Sequence, residues 1–388
     1  MCSRRERDIH DCARSKWCAC IGNGRTLPPR LRPSRQKHKP NTLCTSHGYG
    51  ATAIHRADVV EALYRGLPPA AAEKVFTNKK LASIRTHGAG VEVTCADGTL
   101  YQGSIVVGAD GVHSTTRHLM RSAALKEDPS RRDWDAEEPF PAAYQLLFGA
   151  FPTPSVPGQG YDVQAKDKAI MYLSGHKRSW IFLYKKLPKP TSERLRYTDE
   201  DIQAVAAEFA EFPLTEGVKV KDVWPTMLGA GLTNLGEGIA KHWSLGRTVL
   251  VGDACHKFTT HLGLGFNNGV QDVVVLANML RKAVRQGGGS PDTATIRGVF
   301  EAYEALRKSP ACSLVADAAN SGHETRMHAW ANTAYYLISR WLAVPKFVED
   351  LVMRSVITPE LRKAQVLDYV AMKEPMKGKV SWLYPMGA

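Results

Sequence analysis

Two short apolar runs, each followed immediately by glycine and then an acid, limit the folds open to this chain more than any other feature. Ile105 to Val107 lead into Gly108-Ala109-Asp110, and Thr248 to Val251 lead into Gly252-Asp253. Neither run alternates apolar with polar residues, so each predicts a strand buried on both faces, as in a parallel sheet. The two acids would then leave the same carboxyl edge, where α/β proteins bind their ligands.

A glycine-rich segment follows the second strand. Gly263-Leu264-Gly265-Phe266-Asn267 predicts a loop that leads directly into a helix from Gly269 to Gln286. The unpaired N–H groups and the positive dipole end of that helix suit an anion such as a pyrophosphate. A G-x-G alone is a weak signal, but the position of Asp253, ten residues before Gly263, strengthens it.

The first strand and an upstream helix supply further polar candidates. Ser114 is placed to cap a helix just after Asp110, with His113 and Arg117 beside it. Arg56 begins a predicted amphipathic helix that ends near Leu67. A cation at that end of a helix is unfavourable unless it meets an anion, and a solvated arginine is the alternative.

Net charge is concentrated at one end of the chain. The 388 residues carry a net charge of +13, but residues 1–45 alone hold 11 Lys and Arg against 3 Asp and Glu. This Pro- and Ser-rich segment is expected to be poorly ordered, and it has no aromatic or helical pattern that would favour nucleic-acid binding. The rest of the chain, which we call the body, is only mildly basic.

Cysteine usage is equally uneven. Five of the eight cysteines lie in the basic segment, so no paired framework spans the body and a reducing, cytoplasmic location is expected. The spacing of Cys18, Cys20 and His38 fits no structural zinc pattern, so no metal site is predicted. The apolar tract from Ala329 to Met353 is interrupted by charges and Pro345, so it predicts packed helices or a surface that contacts a membrane, not a span.

The remaining patterns predict an α/β protein with an inserted sheet domain. Short alternating runs after the first helix indicate a β-meander before the first buried strand, and strand-like runs occur at Ala169–Leu173 and Trp180–Tyr184. A helix is expected at Asp199–Glu211. The predicted units are a basic segment (1–45), two parts of one ligand-binding domain (46–130 and 246–320), a sheet-based substrate domain (131–245) and a C-terminal helical region (321–388).

The two glycine-acid segments resemble a known family. GADGVHSTTR, which begins at Gly108, and the segment from Gly246 to Asp272 are similar to the two internal signatures of group A FAD-dependent monooxygenases, the para-hydroxybenzoate hydroxylase class. The helix at Arg56 and the stretch from Ser321 to Trp330 resemble the fungal branch that epoxidises prenylated polyketides and indole diterpenes. The resemblance runs from about Tyr49 to the C-terminus and implies a Rossmann-like FAD domain of the GR2 type.

The resemblance also implies roles for individual residues. Asp253 would bind the ribityl hydroxyls of FAD, the backbone at Gly263, Gly265 and Phe266 would face the isoalloxazine, and Arg56 would contact the cofactor. Asp110 would belong to the motif that serves both FAD and NADPH. A tyrosine of the middle domain would lie near the substrate, with Tyr161 and Tyr172 as the candidates, although a core or surface tyrosine is the alternative for each.

The sequence departs from the family pattern at three places. Thr260 stands where the second signature usually has proline, and Gln271 replaces the usual acid before Asp272. No G-x-G-x-x-G motif follows an apolar strand, and Ile21 to Arg25 neither follow a strand nor begin a helix. The FAD domain is therefore expected to be N-terminally incomplete, with residues 1–45 in place of about one βαβ unit.

The function implied by the resemblance is oxygenation of a prenylated or terpenoid intermediate in meroterpenoid biosynthesis. FAD, NADPH and O2 would be used, and no catalytic histidine is required, so His256 is expected to be structural. A flavin-dependent reductase or halogenase is a second hypothesis, although no halogenase-type Trp-x-Trp-x-Ile element occurs. A flavin-free inactive or regulatory chain is the alternative from another class.

Overall fold

A computed structural model describes residues 23–26, 48, 53–88, 90–131, 133–152, 157–165, 167–215, 217–258, 260, 264–308, 358–370 and 378–384. Several sequence predictions lie outside these residues: those for Cys18, Cys20, His38, Gly263, and the tracts 321–330 and 329–353. Sixteen strands are described: β1 Asn23–Thr26, β2 Leu81–His87, β3 Gly90–Cys95, β4 Leu100–Gly103, β5 Val106–Gly108, β6 Ala142–Phe151, β7 Gly160–Ala165, β8 Lys168–Ser174, β9 Ser179–Thr191, β10 Pro213–Thr215, β11 Val218–Lys219, β12 Gly229–Gly236, β13 Gly238–Ile239, β14 Ser244–Leu245, β15 Thr248–Leu250 and β16 His256–Lys257.

The described helices vary from single turns to more than six turns. They are α1 Arg56–Arg65, α2 Pro69–Ala72, α3 Thr115–Glu127, α4 Asp199–Glu208, α5 Val220–Val223, α6 Leu264–Gln286, α7 Thr293–Lys308 and α8 Thr358–Leu361. The predicted helices at Arg56 and Asp199 are present, but each ends a few residues earlier than expected. Within the described ranges, no helix combines the length and apolarity needed to cross a membrane.

A small sheet holds the two glycine-acid segments. β5 and β15 pair in parallel, with Gly108 opposite Leu250, and β14 continues the sheet beyond β15. The parallel pairing predicted from the apolar runs is therefore present. All three residues of β15 are buried, whereas Val107 in β5 is 44% exposed. The prediction that β5 is buried on both faces is wrong at Val107, because β5 is the edge strand of this sheet as described.

Helices α3, α6 and α7 pack with the small sheet. Their shared core includes Met120 of α3, Val275 of α6 and Phe300 of α7 around Val249 and Leu250. The predicted meander is also present, because β2, β3 and β4 form an antiparallel sheet. Its turns lie at the predicted glycines, and both Gly88 and Gly98 adopt positive φ angles.

The middle of the chain forms a six-stranded sheet in the order β1-β7-β8-β9-β6-β12. One face is covered by α4 and α5, with Ile170, Leu183 and Phe209 among the buried residues. The other face carries a second, smaller cluster that includes Tyr144, Leu146 and Tyr184. We refer to the first as the helix face. We refer to the second as the open face, because it also carries the partly exposed Phe148. β1, from the basic segment, pairs in parallel with β7.

Candidate functional site

The second strand tip presents a carboxylate beside the start of a helix. Gly252 has a φ of +62°, and residues Gly252–Ala254 form one turn of 3-10 helix after β15. The Asp253 side chain is 34% exposed, and one of its oxygens accepts a hydrogen bond from Lys257 Nζ at 2.6 Å. A Cβ at Gly265 would lie 3.7 Å from the other oxygen. Asp253 therefore faces the first turn of α6 and stays accessible to a ligand.

The glycine-rich segment does not end where the sequence predicted. Helix α6 begins at Leu264, five residues before the expected start at Gly269, so Gly265 and Phe266 lie in its first turn and not in a loop. The start of α6 lies against the turn at Gly252, because a Cβ at Gly269 would be in ordinary van der Waals contact with the Cα of Gly252 at 3.5 Å. The Phe266 side chain is 60% exposed. The first turn of α6 lies beside the Asp253 turn.

The first strand tip is arranged differently. One oxygen of Asp110 accepts a hydrogen bond from Ser114 Oγ at 2.5 Å, and the other accepts from Thr116 N at 2.9 Å and Thr116 Oγ1 at 3.0 Å. Ser114 itself caps α3 by accepting from Arg117 N at 3.0 Å, as predicted. Both oxygens of Asp110 are thus engaged at the start of α3, and the carboxylate stabilises that helix.

A buried arginine joins the two tips. Arg117 donates to the carbonyl oxygen of Val112 at 2.7 Å and to that of Ala254 at 2.8 Å, and it lies 4.9 Å from the ring centroid of Phe140. Burial lowers the pKa of its guanidinium, which nevertheless stays charged. Arg117 was noted in the sequence only as a neighbour of Asp110, and its bridging role depends on a residue 137 positions away.

Asp272 braces the Asp253 turn from behind. Its carboxylate accepts hydrogen bonds from Gly252 N at 2.8 Å and Arg307 Nε at 2.7 Å and lies 2.6 Å from His256 Nε2. Burial alone would raise the pKa of Asp272, but His256 and Arg307 outweigh it and hold the pKa below its usual value. Cys255, His256 and Asp272 place ligating atoms within 4.8 Å of one another. Because the Asp272 oxygens are already engaged, we interpret the cluster as a structural brace.

The two predicted tyrosines lie on the helix face of the six-stranded sheet. Tyr172 is fully buried, and its hydroxyl lies 3.2 Å from Ser179 Oγ. Tyr161 pairs with Tyr172 across the strands, with ring centroids 5.9 Å apart. Both pack with the cluster that includes α4 and α5. A substrate role for either tyrosine stays a prediction.

A third tyrosine, Tyr184, contacts the segment between β16 and α6 and was not predicted as a site residue. The hydroxyl of Tyr184, on the open face, lies 3.1 Å from Thr260 Oγ1. Its position in the strand could have indicated that it lies on the other face, because residues 182 and 184 alternate with the helix-face residues 181 and 183.

Arg56 is the first residue of α1 and is exposed, and no residue of that helix is buried. Its predicted contact with a cofactor stays a prediction.

These residues fit an FAD. Asp253 offers an accessible acceptor for sugar-like hydroxyls, and the first turn of α6 offers backbone donors for anionic groups. Residues 51–308 match the family model described as an FAD binding domain, which is more than half of the chain. Fold and site together therefore define an FAD-binding α/β protein.

Proteins of similar sequence narrow the class of FAD-binding protein to the FAD-dependent monooxygenases. The chain is 43% identical over 199 residues to the FAD-dependent monooxygenase SAT1 of Stachybotrys chartarum, an alignment that covers 50% of the chain and 66% of the relative. It is 33% identical over 358 residues to the FAD-dependent monooxygenase srdH of Neurospora crassa, covering 87% and 77%. The FAD-dependent monooxygenase ausM of Penicillium brasilianum is 35% identical, and the alignment covers 62% of the chain and 51% of that relative.

Solved structures share the fold. HpxO of Klebsiella pneumoniae, complexed with FAD and uric acid, superposes with a TM-score of 0.59 at 17% identity, covering 91% of this chain and 86% of that one. The tetracycline destructase Tet(51) gives a TM-score of 0.56 at 19% identity, covering 82% and 78%. The chain belongs to the FAD-dependent monooxygenase family.

Proposed function

We propose that this chain binds FAD at the two strand tips and uses NADPH and O2 to oxygenate a prenylated or terpenoid molecule. The observation that carries the proposal is the pairing of the accessible Asp253 carboxylate with the glycine-bearing start of α6. Asp253 would accept hydrogen bonds from the ribityl hydroxyls, with Lys257 shifting from its present ion pair. The N–H groups at Gly265 and Phe266 would face the ring system.

Asp110 would act indirectly. Because its oxygens are engaged by Ser114 and Thr116, it would fix the turn through Gly111, whose φ is +82°. That turn leaves the same sheet edge as the Asp253 turn, since β5 and β15 are parallel neighbours. Arg117 would keep the two turns at a constant separation.

The open face of the six-stranded sheet supports an apolar substrate. Met171, Phe182 and Phe148 lie in one cross-strand row, and Phe148 is 42% exposed. Bound FAD would supply electron transfer and oxygen activation, while these side chains would exclude water and orient an alkene. In the overall reaction NADPH would supply a hydride, which carries two electrons and one proton, and solvent would supply a second proton. One oxygen atom of O2 would bridge the two alkene carbons, and the other would leave as water with the two protons.

The visible spectrum of the purified chain tests the first part of the proposal. We expect flavin bands, or uptake of added FAD with quenching of its fluorescence, at close to one FAD per chain. NADPH oxidation should then increase when a prenylated phenol is added, and mass spectrometry should show a product heavier by one oxygen atom. The same phenol without its prenyl chain is the control and should give neither effect.

A flavin-free chain is the rival proposal. It is favoured by the absence of a G-x-G-x-x-G motif from the sequence and by the exposed edge at Val107. A folded, colourless protein that takes up no added FAD would support this rival and exclude the oxygenase. Uptake of FAD without NADPH oxidation would instead leave a flavin-binding chain that lacks the proposed reductive step.

A further inference from the structure

A side-chain hydrogen bond between Tyr184 and Thr260 joins the open face of the six-stranded sheet to the segment between β16 and α6. Tyr184 lies in a cross-strand row between Ala169 on one side and Leu146 on the other. The tyrosine is fully buried, and its hydroxyl lies 3.1 Å from Thr260 Oγ1. Thr260 lies between β16 and α6, on the segment that links the Asp253 turn to the helix start.

This contact depends on a departure from the family pattern. The second signature usually has proline at the position of Thr260, and a proline side chain has no hydroxyl. Threonine offers one hydroxyl that can donate or accept, so the bond to Tyr184 can form here. The pairing is therefore a property of this chain's own residues and not of the signature in general.

The apolar row of the open face lies next to Tyr184. Phe182 is two residues earlier on the same strand and faces the same side, about 7 Å away. Phe148 lies opposite Phe182, and its ring covers Gly231, where a Cβ would come within 2.7 Å of the ring. The hydrogen bond thus holds Thr260 on the face of the sheet that carries the row of Met171, Phe182 and Phe148.

We propose that the Tyr184–Thr260 hydrogen bond is a positioning contact that fixes the substrate face of the sheet against the segment that precedes α6. This inference rests on the proposed function, because the geometry it maintains is that between a substrate on the apolar row and FAD at the strand tips. Neither residue is proposed to touch the reacting atoms. Loss of the hydrogen bond would leave the substrate and FAD both bound but misaligned with each other.

The test uses three variants of the full chain that remove hydroxyl groups: Tyr184→Phe, Thr260→Val, and the two combined. We expect each single variant to lower the fraction of NADPH oxidation that yields oxygenated product by at least about threefold, with excess hydrogen peroxide and a smaller change in KM. The double variant should be no worse than either single variant, because one shared contact is lost. Thr260→Ser keeps the hydroxyl, so the fraction of NADPH oxidation that yields oxygenated product should equal that of the wild type.

Binding provides a second readout. A prenylated phenol should change the visible spectrum of the flavin in the wild type, and the change should be smaller or shifted in Tyr184→Phe and Thr260→Val. Tyr197→Phe is the matched comparison, because it removes a tyrosine hydroxyl that donates to Asn234 Oδ1 on β12 of the same sheet at 2.7 Å. A larger loss of product per NADPH oxidised in Tyr197→Phe than in Tyr184→Phe would overturn the inference.

Thermal unfolding of the same proteins without flavin separates this inference from the proposed function. If the wild type takes up no FAD, the proposed function fails, but the Tyr184–Thr260 contact can still be measured as a non-additive effect of the two substitutions on the melting temperature. Additive effects in the apoproteins would show that the contact does not form in solution. Additive losses of product coupling in the flavin-loaded proteins would also reject the positioning role.

Discussion

The two strand tips share a sequence pattern but differ in how their acids are used. Asp110 is held by donors from Ser114 and Thr116, which begin the following helix. Asp253 has one described side-chain partner, Lys257, and a third of its side-chain surface is accessible. Both oxygens of the carboxylate at the first tip are hydrogen-bonded within the protein. The carboxylate at the second tip pairs with a lysine and remains accessible.

The distance to the next helix explains this difference. Asp110 precedes its helix by five residues, so the free N–H groups at the start of α3 reach back to its carboxylate. Asp253 precedes α6 by eleven residues, and its described hydrogen-bond partner is the Lys257 side chain. An acid after a buried strand therefore indicates a ligand site only when the following helix does not take up the carboxylate.

Removal of the arginine that joins the tips should have the largest effect. Arg117→Met breaks two buried hydrogen bonds to carbonyl groups, and we expect it to lower the free energy of unfolding by about 3–5 kcal/mol. Urea unfolding of the apoprotein measures this change. Arg121→Met on the same helix, which loses one bond to Asp135 O, should cost about 1 kcal/mol. Equal losses in the two variants would show that the tips are independent.

A buried acid outside the two strand tips provides a pH-dependent effect on stability. Glu237 lies between β12 and β13, its Oε1 is buried with no hydrogen-bond partner in the described structure, and burial raises its pKa to about 7. The folded state holds this proton more tightly than the unfolded state, so the stability contributed by Glu237 is fully present below pH 4.5 and is lost as pH rises to about 7.

Glu237→Gln should remove this pH dependence. At pH 8 we expect the variant to exceed the wild type in unfolding free energy by about 2–3 kcal/mol, with the difference vanishing near pH 4.5. Asp272 has the opposite sign, because its pKa is lowered and its contribution is lost on acidification. Unfolding curves recorded across this pH range measure both trends. Parallel curves for variant and wild type would show that Glu237 is solvated.

The sequence predicted the backbone arrangement of the site better than it predicted the hydrogen-bond partners of the side chains. The apolar runs predicted the parallel pairing of β5 and β15, and Ser114 predicted the cap of α3. These features depend on neighbouring residues. The bridging of Arg117 to Ala254 and the contact of Tyr184 with Thr260 join positions 137 and 76 residues apart, which no local pattern encodes. The early start of α6 was not predicted, because glycine is a poor helix former and Gly263 and Gly265 therefore favoured a loop.

Asp110→Asn tests the first tip. The substitution removes a charge from the start of α3 and at least one of three hydrogen bonds, so we expect a loss of about 1–2 kcal/mol in unfolding free energy. FAD affinity, measured by fluorescence titration, should change little in protein that remains folded. Asp128→Asn, at the other end of α3, is the control and should alter neither property. A loss of affinity without a loss of stability would assign Asp110 a direct cofactor contact.

Asp253→Asn makes the same chemical change at the accessible tip and should have the smallest effect on stability. The apoprotein should unfold within about 0.5 kcal/mol of the wild type, because a partly exposed ion pair contributes little. FAD affinity should fall by about tenfold or more, since a charged acceptor for hydroxyl groups is lost. Lys257→Met removes the same ion pair but keeps the carboxylate, so it should retain or strengthen FAD binding. If Asp253→Asn instead destabilised the chain as much as Asp110→Asn and left FAD affinity unchanged, the two acids would both be structural.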